Sequence, residues 1–340
     1  GTVCDVAPLI GLNRAFVKQG LKVLKKRSNL GLKTLYDLCK IDSQPTVHDL
    51  GFKLGPRINA GGRVGKSSHG AELLCSEDPH RAYQIATDLN KSNKERQSIE
   101  HLLSEQVNSV VKNFQNDPVL VLSGKGWHEG IIGIVASRIK DKYNKPAILI
   151  SVDNSLAKGS ARSIYGFDIG AQIIKAVQLG ILEKGGGHKM AGGFTLKENN
   201  ISLFRQFLIK NFNKLQLSHS KFVNLYLDSI IAPSALNEKF FDEINYLGPF
   251  GSGNSEPKFV IENIKVISSV VVGNNHIKSI LIGKDGLKFK SIAWNAKNSP
   301  LEQPLNAKNK KRINIAGKMT LNEWRGERNI EFMIEDISLN

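Results

Sequence analysis

Apolar and polar positions follow three successive patterns along this chain, and each predicts a different architecture. From Asn13 to Lys40 apolar residues recur at helical spacing (Ala15, Phe16, Leu21, Leu24, then Leu32, Leu35, Leu38), interrupted at "RSNLG", which predicts two short helices. The polar, Gly-rich run "GFKLGPRINAGGRVGKSSHG" comes next; it is too broken for a buried strand and reads as a functional loop or a cleft lining. "SEDPH" is a helix start. From about Arg81 to Phe114 there is then no Gly or Pro, and Lys, Glu and Gln abound, as in one long helix or two nearly continuous ones bridging two domains.

The second pattern is a βαβ unit, "DPVLVLSGKGWHEGIIGIVASRIKDKYNKPAILIS", with strands at 118–123 and 147–152 around an amphipathic helix at about 129–142. A short strand carrying "GSARS", a helix at about 168–180, a glycine–histidine loop, the strand "GGFTL" and a helix near 199–214 complete one α/β domain. From Lys221 onward short β-rich runs ("FVNLYL", "KFVIENIKVISSVVV", "HIKSILIG", "LKFKSIAW", "INIAGKMTL", "NIEFMIEDI") alternate with Gly, Asn and Asp turns, which predicts a closed barrel of about five strands, an OB-fold. The expected boundaries are 1–75, 76–115, 116–216 and 217–340. The opening "GTVCDVAPLIGLNRAF" reads as the middle of a domain, an apolar strand entering a turn and then a helix, so a preceding portion is expected.

Composition narrows the partner. The 340 residues carry a net charge of +16 and a pI near 9.6, an excess of cations that favours a polyanion, with nucleic acid first; a solvated lysine-rich surface is the plainer alternative. No run approaches the 18 apolar residues of a membrane span, so a cytoplasmic protein without membrane partners is expected. Cys4, Cys39 and Cys75 form no CxxC pair, which argues against a zinc knuckle or a disulfide framework and for buried thiols.

Four places carry candidate chemistry. In "EKGGGHKMAGGF" five glycines surround His188; bare backbone at Gly185, Gly186 and Gly187 lets amides approach an anion, and the imidazole adds a donor or a proton carrier, while a tight turn with a surface histidine is the bland alternative. "GSARS" sets Arg162 between Ser160 and Ser163, a bidentate cation with neutral donors, suited to a phosphate if this strand lies beside the glycines. "AGGRVGKS", 60–67, satisfies a P-loop pattern with Ala in place of the first Gly, but a buried strand should precede it, so Arg57 and Arg63 read better as ligands of backbone phosphates. Asp5 ends an apolar strand, where α/β enzymes hold metals, yet one carboxylate is not a metal site.

"GTVCDVAPLIGLNR", "GPRINAGGRVG", "GWHEGIIGIVASRI", "GSARS", "GGGHKMAGGF" and "LGPFGSGNSEP" occur in the order and approximate spacing of the RecJ family, single-stranded-DNA exonucleases of the DHH phosphoesterase superfamily, which the chain resembles over nearly its whole length. The resemblance implies the end of a DHH domain at 1–75, a linker helix, a DHHA1 domain and an OB-fold, and a 5′→3′ exonuclease using Mn²⁺ or Mg²⁺. Asp5 matches the last of the family's conserved aspartate ligands. Arg57, Asn59 and Arg63 match its "GPRLNAAGR" element, and Ser160, Arg162 and Gly185–His188 match the DHHA1 signature that faces the metals across the DNA.

Gly61, Leu12 and Ser255 depart from the family's usual Ala, Glu and Pro. The amino-terminal "DxDxDG" and "DHH" segments, which hold most metal ligands, are not among these residues, so the metal site is incomplete in this chain. In the barrel, Trp294, Phe289 and Trp324 are candidates for base stacking, Phe289 being better read as core. "NEWRGERN" is the more promising site, with Arg325 and Arg328 beside Trp324. Three functions stay open: half of a nuclease site completed by a DHH-containing segment or separate polypeptide, a single-stranded-DNA-binding module that cannot cut, and, remotely, a P-loop ATPase.

Overall fold

The computed structural model describes residues 1–42, 44–153, 155–215, 224–306, 311–324 and 327–339. The chain divides into two compact units, Gly1–Lys26 with Gln44–Gly51 and Val223–Asn340, and Arg27–Ser43 with Phe52–Phe222. Helix α1 (Gly11–Lys25) belongs to the first.

In the second unit α2 (Leu30–Leu38) starts where "RSNLG" breaks the pattern, because the Asn29 side chain accepts a hydrogen bond from the Leu32 amide at 2.9 Å. The Gly-rich run expected to be a loop is helical instead, forming α3 (Gly55–Val64) and α4 (His69–Leu74). Its glycines serve close packing. A Cβ on Gly61 would lie 2.5 Å from the Lys66 carbonyl oxygen and 3.2 Å from a Leu89 methyl of the next helix. That helix, α5 (Pro79–Val111), is capped by the Asp78 side chain, which accepts from His80 N–H at 2.9 Å. Its first half packs on α2, α3 and α4 through Ala82, Ile85, Ala86 and Leu89; its second half joins the core below through Leu103, Val107 and Val111.

Strand β1 (Leu120–Lys125), helix α6 (Glu129–Tyr143) and strand β2 (Ala147–Asp153) form the expected parallel βαβ unit. Then come β3 (Leu156–Arg162), α7 (Ile169–Gln178), β4 (Lys184–His188), β5 (Ala191–Lys197) and α8 (Ile201–Lys214). The sheet order is β1-β2-β3-β5-β4, antiparallel after β2. Alternation splits the core. Leu120, Leu122, Ala147 and Leu149 face α5 and α6, whereas Val121, Ile148, Ile150, Ala161 and Phe194 pack with Ile173, Phe204 and Leu208 of α7 and α8. Each fully buried Ile, Leu or Phe contributes about 1.5–3 kcal/mol. The glycine–histidine stretch is thus an edge strand in a hairpin, not the loop its composition suggested.

In the first unit β6 (Ser229–Ile230) and α9 (Glu238–Tyr246) precede the barrel β7 (Phe259–Val272), β8 (His276–Ile282), β9 (Lys288–Ala293), β10 (Ile313–Trp324) and β11 (Glu327–Leu339). The order β7-β8-β9-β11-β10 closes as β10 returns to β7, the five-stranded barrel expected, around Ile261, Ile264, Leu281, Phe289 and Phe332. Of "FVNLYL", residues 224–227 are not in a strand and the others lie outside the described residues.

Two sequence motifs meet in this unit. The Leu9 amide donates to the Ser252 carbonyl at 2.6 Å, and the Arg14 guanidinium, 233 positions before Leu247, donates to the carbonyls of Leu247 and Gly248 that end α9. "LGPFGSGN" is therefore a strap over "APLIGLNR".

Asp5 does not end a strand. A strand needs a neighbour for its polar backbone groups, and here residues 2–6 turn on themselves, with Asp5 N–H donating to Gly1 O at 2.8 Å and Ala7 N–H to Thr2 O at 3.0 Å. The cysteines are also not the buried thiols expected: Cys4 lies in this turn and Cys75 ends α4, both exposed, and Cys39 is half-buried after α2.

Candidate functional site

Register brings the glycines to the arginine. Across β3, β5 and β4, Ser160 pairs with Gly193 and Gly193 with Gly186; two residues on, Arg162 pairs with Ala191 and Ala191 with His188. Paired residues point to the same face, so Ser160, Arg162, Gly186 and His188 share one side of the sheet, with His188 and Arg162 two strand spacings apart, roughly 10 Å. That side is the one α6 covers, and α6 stops at β3: a Cβ on its Gly133 would lie 2.9 Å from Ser160 Oγ and 3.1 Å from Arg162 Nη2. Beyond β3, the glycines of β5 and β4 on this face stand open among the described residues. A Cβ on Gly186 would meet no atom within 4 Å, and one on Gly193 only a carbonyl oxygen at 3.9 Å.

The other glycines have a packing reason. Gly185 and Gly192 face Ile173 of α7, at 2.7 and 2.4 Å from their would-be Cβ atoms, and a Cβ on Gly187 would lie 2.4 Å from the Ala191 carbonyl oxygen. None of Gly185, Gly186 and Gly187 has a positive φ, so the turn-like amide nest is replaced by a flat strand edge. Gly186 and Gly193, unconstrained by packing, form a bare shelf flanked by Ser160, Arg162 and His188.

The shelf is cationic. Arg162 Nη1 donates to Ser160 Oγ at 3.2 Å and to the Ala161 carbonyl at 2.8 Å. Burial, and then the like charge of Arg63, hold the Arg162 guanidinium below its usual pKa, although an arginine stays protonated at neutral pH. Arg63 reaches in from the end of α3 and donates to the Gly130 carbonyl at 2.9 Å. Among the described residues no carboxylate pairs with Arg63 or Arg162. Two cations crowd together with no anion.

The sequence reading missed the floor on which they rest. His128 caps α6, its Nδ1 accepting from Gly130 N–H at 3.1 Å, and Gly130 and Gly133, three apart on one helix face, let Arg63 and Arg162 approach the backbone. The signal was the G-x-x-G spacing inside "HEGIIGIV".

The remaining candidates lie elsewhere. Arg57 is tied into the helices, donating to Asn90 Oδ1 at 3.0 Å and to Lys53 O at 2.7 Å; Asn59 is exposed on α3. Ser163 is buried, its hydroxyl spent on the Phe167 carbonyl. The P-loop context is absent: "AGGRVGKS" is entered from α3, a helix, where a strand is required. In the first unit Trp324 ends β10, its side chain and all of Arg325 lying outside the described residues. Arg328 is no free phosphate ligand, since it pairs with Glu238 at 2.9 Å and Asp242 at 3.1 Å; the Asp242 hydrogen bond is the chief cause of its raised pKa. Asp5 is an exposed single carboxylate, and among the described residues no three His, Cys, Asp or Glu side chains gather as a metal site requires. The donors present do not by themselves hold a divalent ion. No helix among the described residues is long and apolar enough to cross a membrane.

Comparison with known proteins agrees with the fold of the α/β domain and the barrel. Residues 116–214 match the DHHA1 domain and residues 227–336 the RecJ OB domain. The single-stranded-DNA-specific exonuclease RecJ of Bacillus subtilis is 30% identical over 100% of this chain and 43% of its own length; that of Haemophilus influenzae is 32% identical over 99% of this chain and 60% of its own. Crystal structures of Thermus thermophilus RecJ in complex with Mg²⁺ and with Mn²⁺ superpose with TM-scores of 0.81 at 27% identity, covering 99% of this chain and 50% and 48% of theirs. The chain spans about half the length of the relatives it matches, and over that span, from its first motif to its barrel, it is similar to RecJ.

Proposed function

We propose that this chain is the strand-gripping part of an exonuclease that degrades single-stranded DNA from its 5′ end. The observation that carries the reading is the bare shelf of Gly186 and Gly193 beside two cations that have no carboxylate partner among the described residues. A terminal phosphate laid there takes the Arg162 fork and the Ser160 hydroxyl, relieves the repulsion between Arg162 and Arg63, and meets His188 at the far side as a donor or proton carrier. Fixing the strand end sets which bond is presented for cleavage. The shelf reads no base edge, so sequence is not selected.

In this reading residues 1–75 close a DHH domain, 76–115 link it to the DHHA1 domain, and Asp5 is one ligand of the Mn²⁺ or Mg²⁺ that supplies the hydrolytic chemistry. The other ligands come from a DHH-containing segment or a separate polypeptide. The barrel adds a second grip, with Trp324 and Arg325 as contacts, and Arg57 and Asn59 line the approach of the strand. A second reading, binding without cleavage by this chain alone, is favoured because among the described residues no three metal-ligating side chains gather.

Digestion of a 5′-phosphorylated, 3′-labelled single strand with Mn²⁺ separates the two. The proposal expects binding but no ladder from the chain alone, and a ladder on adding a DHH-containing half from a relative. Persistent inactivity with that half bound would favour the binding module, and a ladder from the chain alone, lost in Asp5→Ala, would overturn the division of labour.

A further inference from the structure

Trp294 lies one residue beyond β9 and is 53% exposed, whereas Phe289 on the same strand is buried. An exposed indole normally relaxes against its surroundings, but this one is braced. His276, at the start of β8, meets it edge to face with ring centroids 4.6 Å apart, and His276 Nδ1 accepts from the Asn295 amide at 3.0 Å, fixing the imidazole. Asn295 takes a left-handed φ of 52°, which turns the chain immediately after the indole. With the His276 contact made, 53% of Trp294 still faces water.

The surroundings are cationic. Between Asn274 and Asn298 the chain carries Lys278, Lys284, Lys288, Lys290 and Lys297 against one acid, Asp285. Lys278 pairs with Glu331, while the other four have no carboxylate within ion-pair distance among the described residues. Lys288 and Lys290 share the outward face of β9, since Phe289 and Ser291 between and after them are buried. A braced aromatic at the end of a lysine-bearing strand fits an unpaired nucleobase joined to a phosphate backbone. A double helix hides the base faces, and an acidic peptide would leave the indole unused.

We infer that Trp294 is a base-stacking platform for single-stranded nucleic acid, with the backbone running along Lys288 and Lys290. This rests on the function proposed above and adds a contact that specifies the strand's single-stranded state in the barrel, separately from the phosphate shelf.

The test titrates the full chain with an oligothymidylate of roughly 12 nucleotides, within the usual span of one such barrel, following tryptophan emission and fluorescence anisotropy. Trp127 is buried, so quenching reports on Trp294 or Trp324. The expected result is quenching that survives Trp324→Phe and disappears in Trp294→Ala. Affinity should fall about 5- to 150-fold in Trp294→Ala, the measured range for one stacked base, and stay near wild type in Trp294→Phe. Unchanged affinity in Trp294→Ala, with a wild-type chain that binds and an Arg162→Ala chain that binds less, would overturn this inference and leave the proposed function standing. A wild-type chain that binds no oligonucleotide would overturn both.

Discussion

Arg162 and Arg63 are two cations of one site with no carboxylate partner among the described residues, and burial together with the Arg63 charge depresses the proton affinity of Arg162. Such an arrangement is a cost to the folded chain that an anion removes. Replacing Arg162 by Ala should therefore leave thermal stability unchanged or slightly higher while weakening phosphate binding by about 10- to 150-fold, the equivalent of roughly 1.5–3 kcal/mol for a charge-assisted hydrogen bond. Paired melting and phosphate-titration curves check this; a marked loss of stability would make Arg162 a structural residue.

The glycines divide by what stands behind them. Gly187→Ala should destabilise the hairpin, because its Cβ would fall 2.4 Å from a backbone oxygen that cannot move aside. Gly186→Ala should fold as well as wild type, or be more stable by about 0.4–1 kcal/mol through the unfolded chain, and yet bind single strands less tightly because the methyl stands on the shelf. Circular dichroism melts and oligonucleotide anisotropy on both variants provide the comparison; equal behaviour in both assays would remove the distinction.

Much of this fold was legible because period and composition agree. The βαβ strands carry continuous apolar runs, the hairpin strand "GGFTL" and β8 alternate buried with more open positions, and the long helix has a cap and no breaker. The failures come from glycine. In "GPRINAGG" it was read as a loop or cleft lining and in "KGGGH" as bare backbone for an anion, whereas Gly61 and Gly187 are there so that other backbone can pass within contact distance, which only the folded partners reveal. Residues of the site were recognisable by type, but their grouping was set by strand register, and Gly130 and Gly133 gave no chemical signal of their own. Arg328 misled for the opposite reason, since its acidic partners lie about 90 positions away on α9.

Glu100 holds α5 to α6. It is buried with its side chain 4% exposed, Arg96 donates to Oε2 at 2.6 Å, and Arg138 of α6 approaches Oε1. Glu100→Ala would strand the nearly buried Arg96 charge and should cost about 3–5 kcal/mol, read as a lower midpoint in chemical denaturation. A midpoint within error of wild type would show the network to be dispensable.

The strap from α9 to α1 makes a local claim. Arg14→Ala removes the donor to the Leu247 and Gly248 carbonyls, and the Leu9 amide, bonded to Ser252, should then exchange with solvent faster by roughly ten-fold or more, as one charge-assisted hydrogen bond implies. Hydrogen exchange at Leu9 decides it, with amides in β2 of the other unit as the unaffected reference.

The most direct test of the account compares the affinity of the chain for one single-stranded oligonucleotide with a 5′-phosphate and with a 5′-hydroxyl, in wild type and in Arg162→Ala, at fixed salt. The account expects the phosphate to tighten binding by about ten-fold or more in wild type and the difference to vanish in the variant. Equal affinity for the two ends in wild type, or a phosphate preference that persists without Arg162, would contradict it.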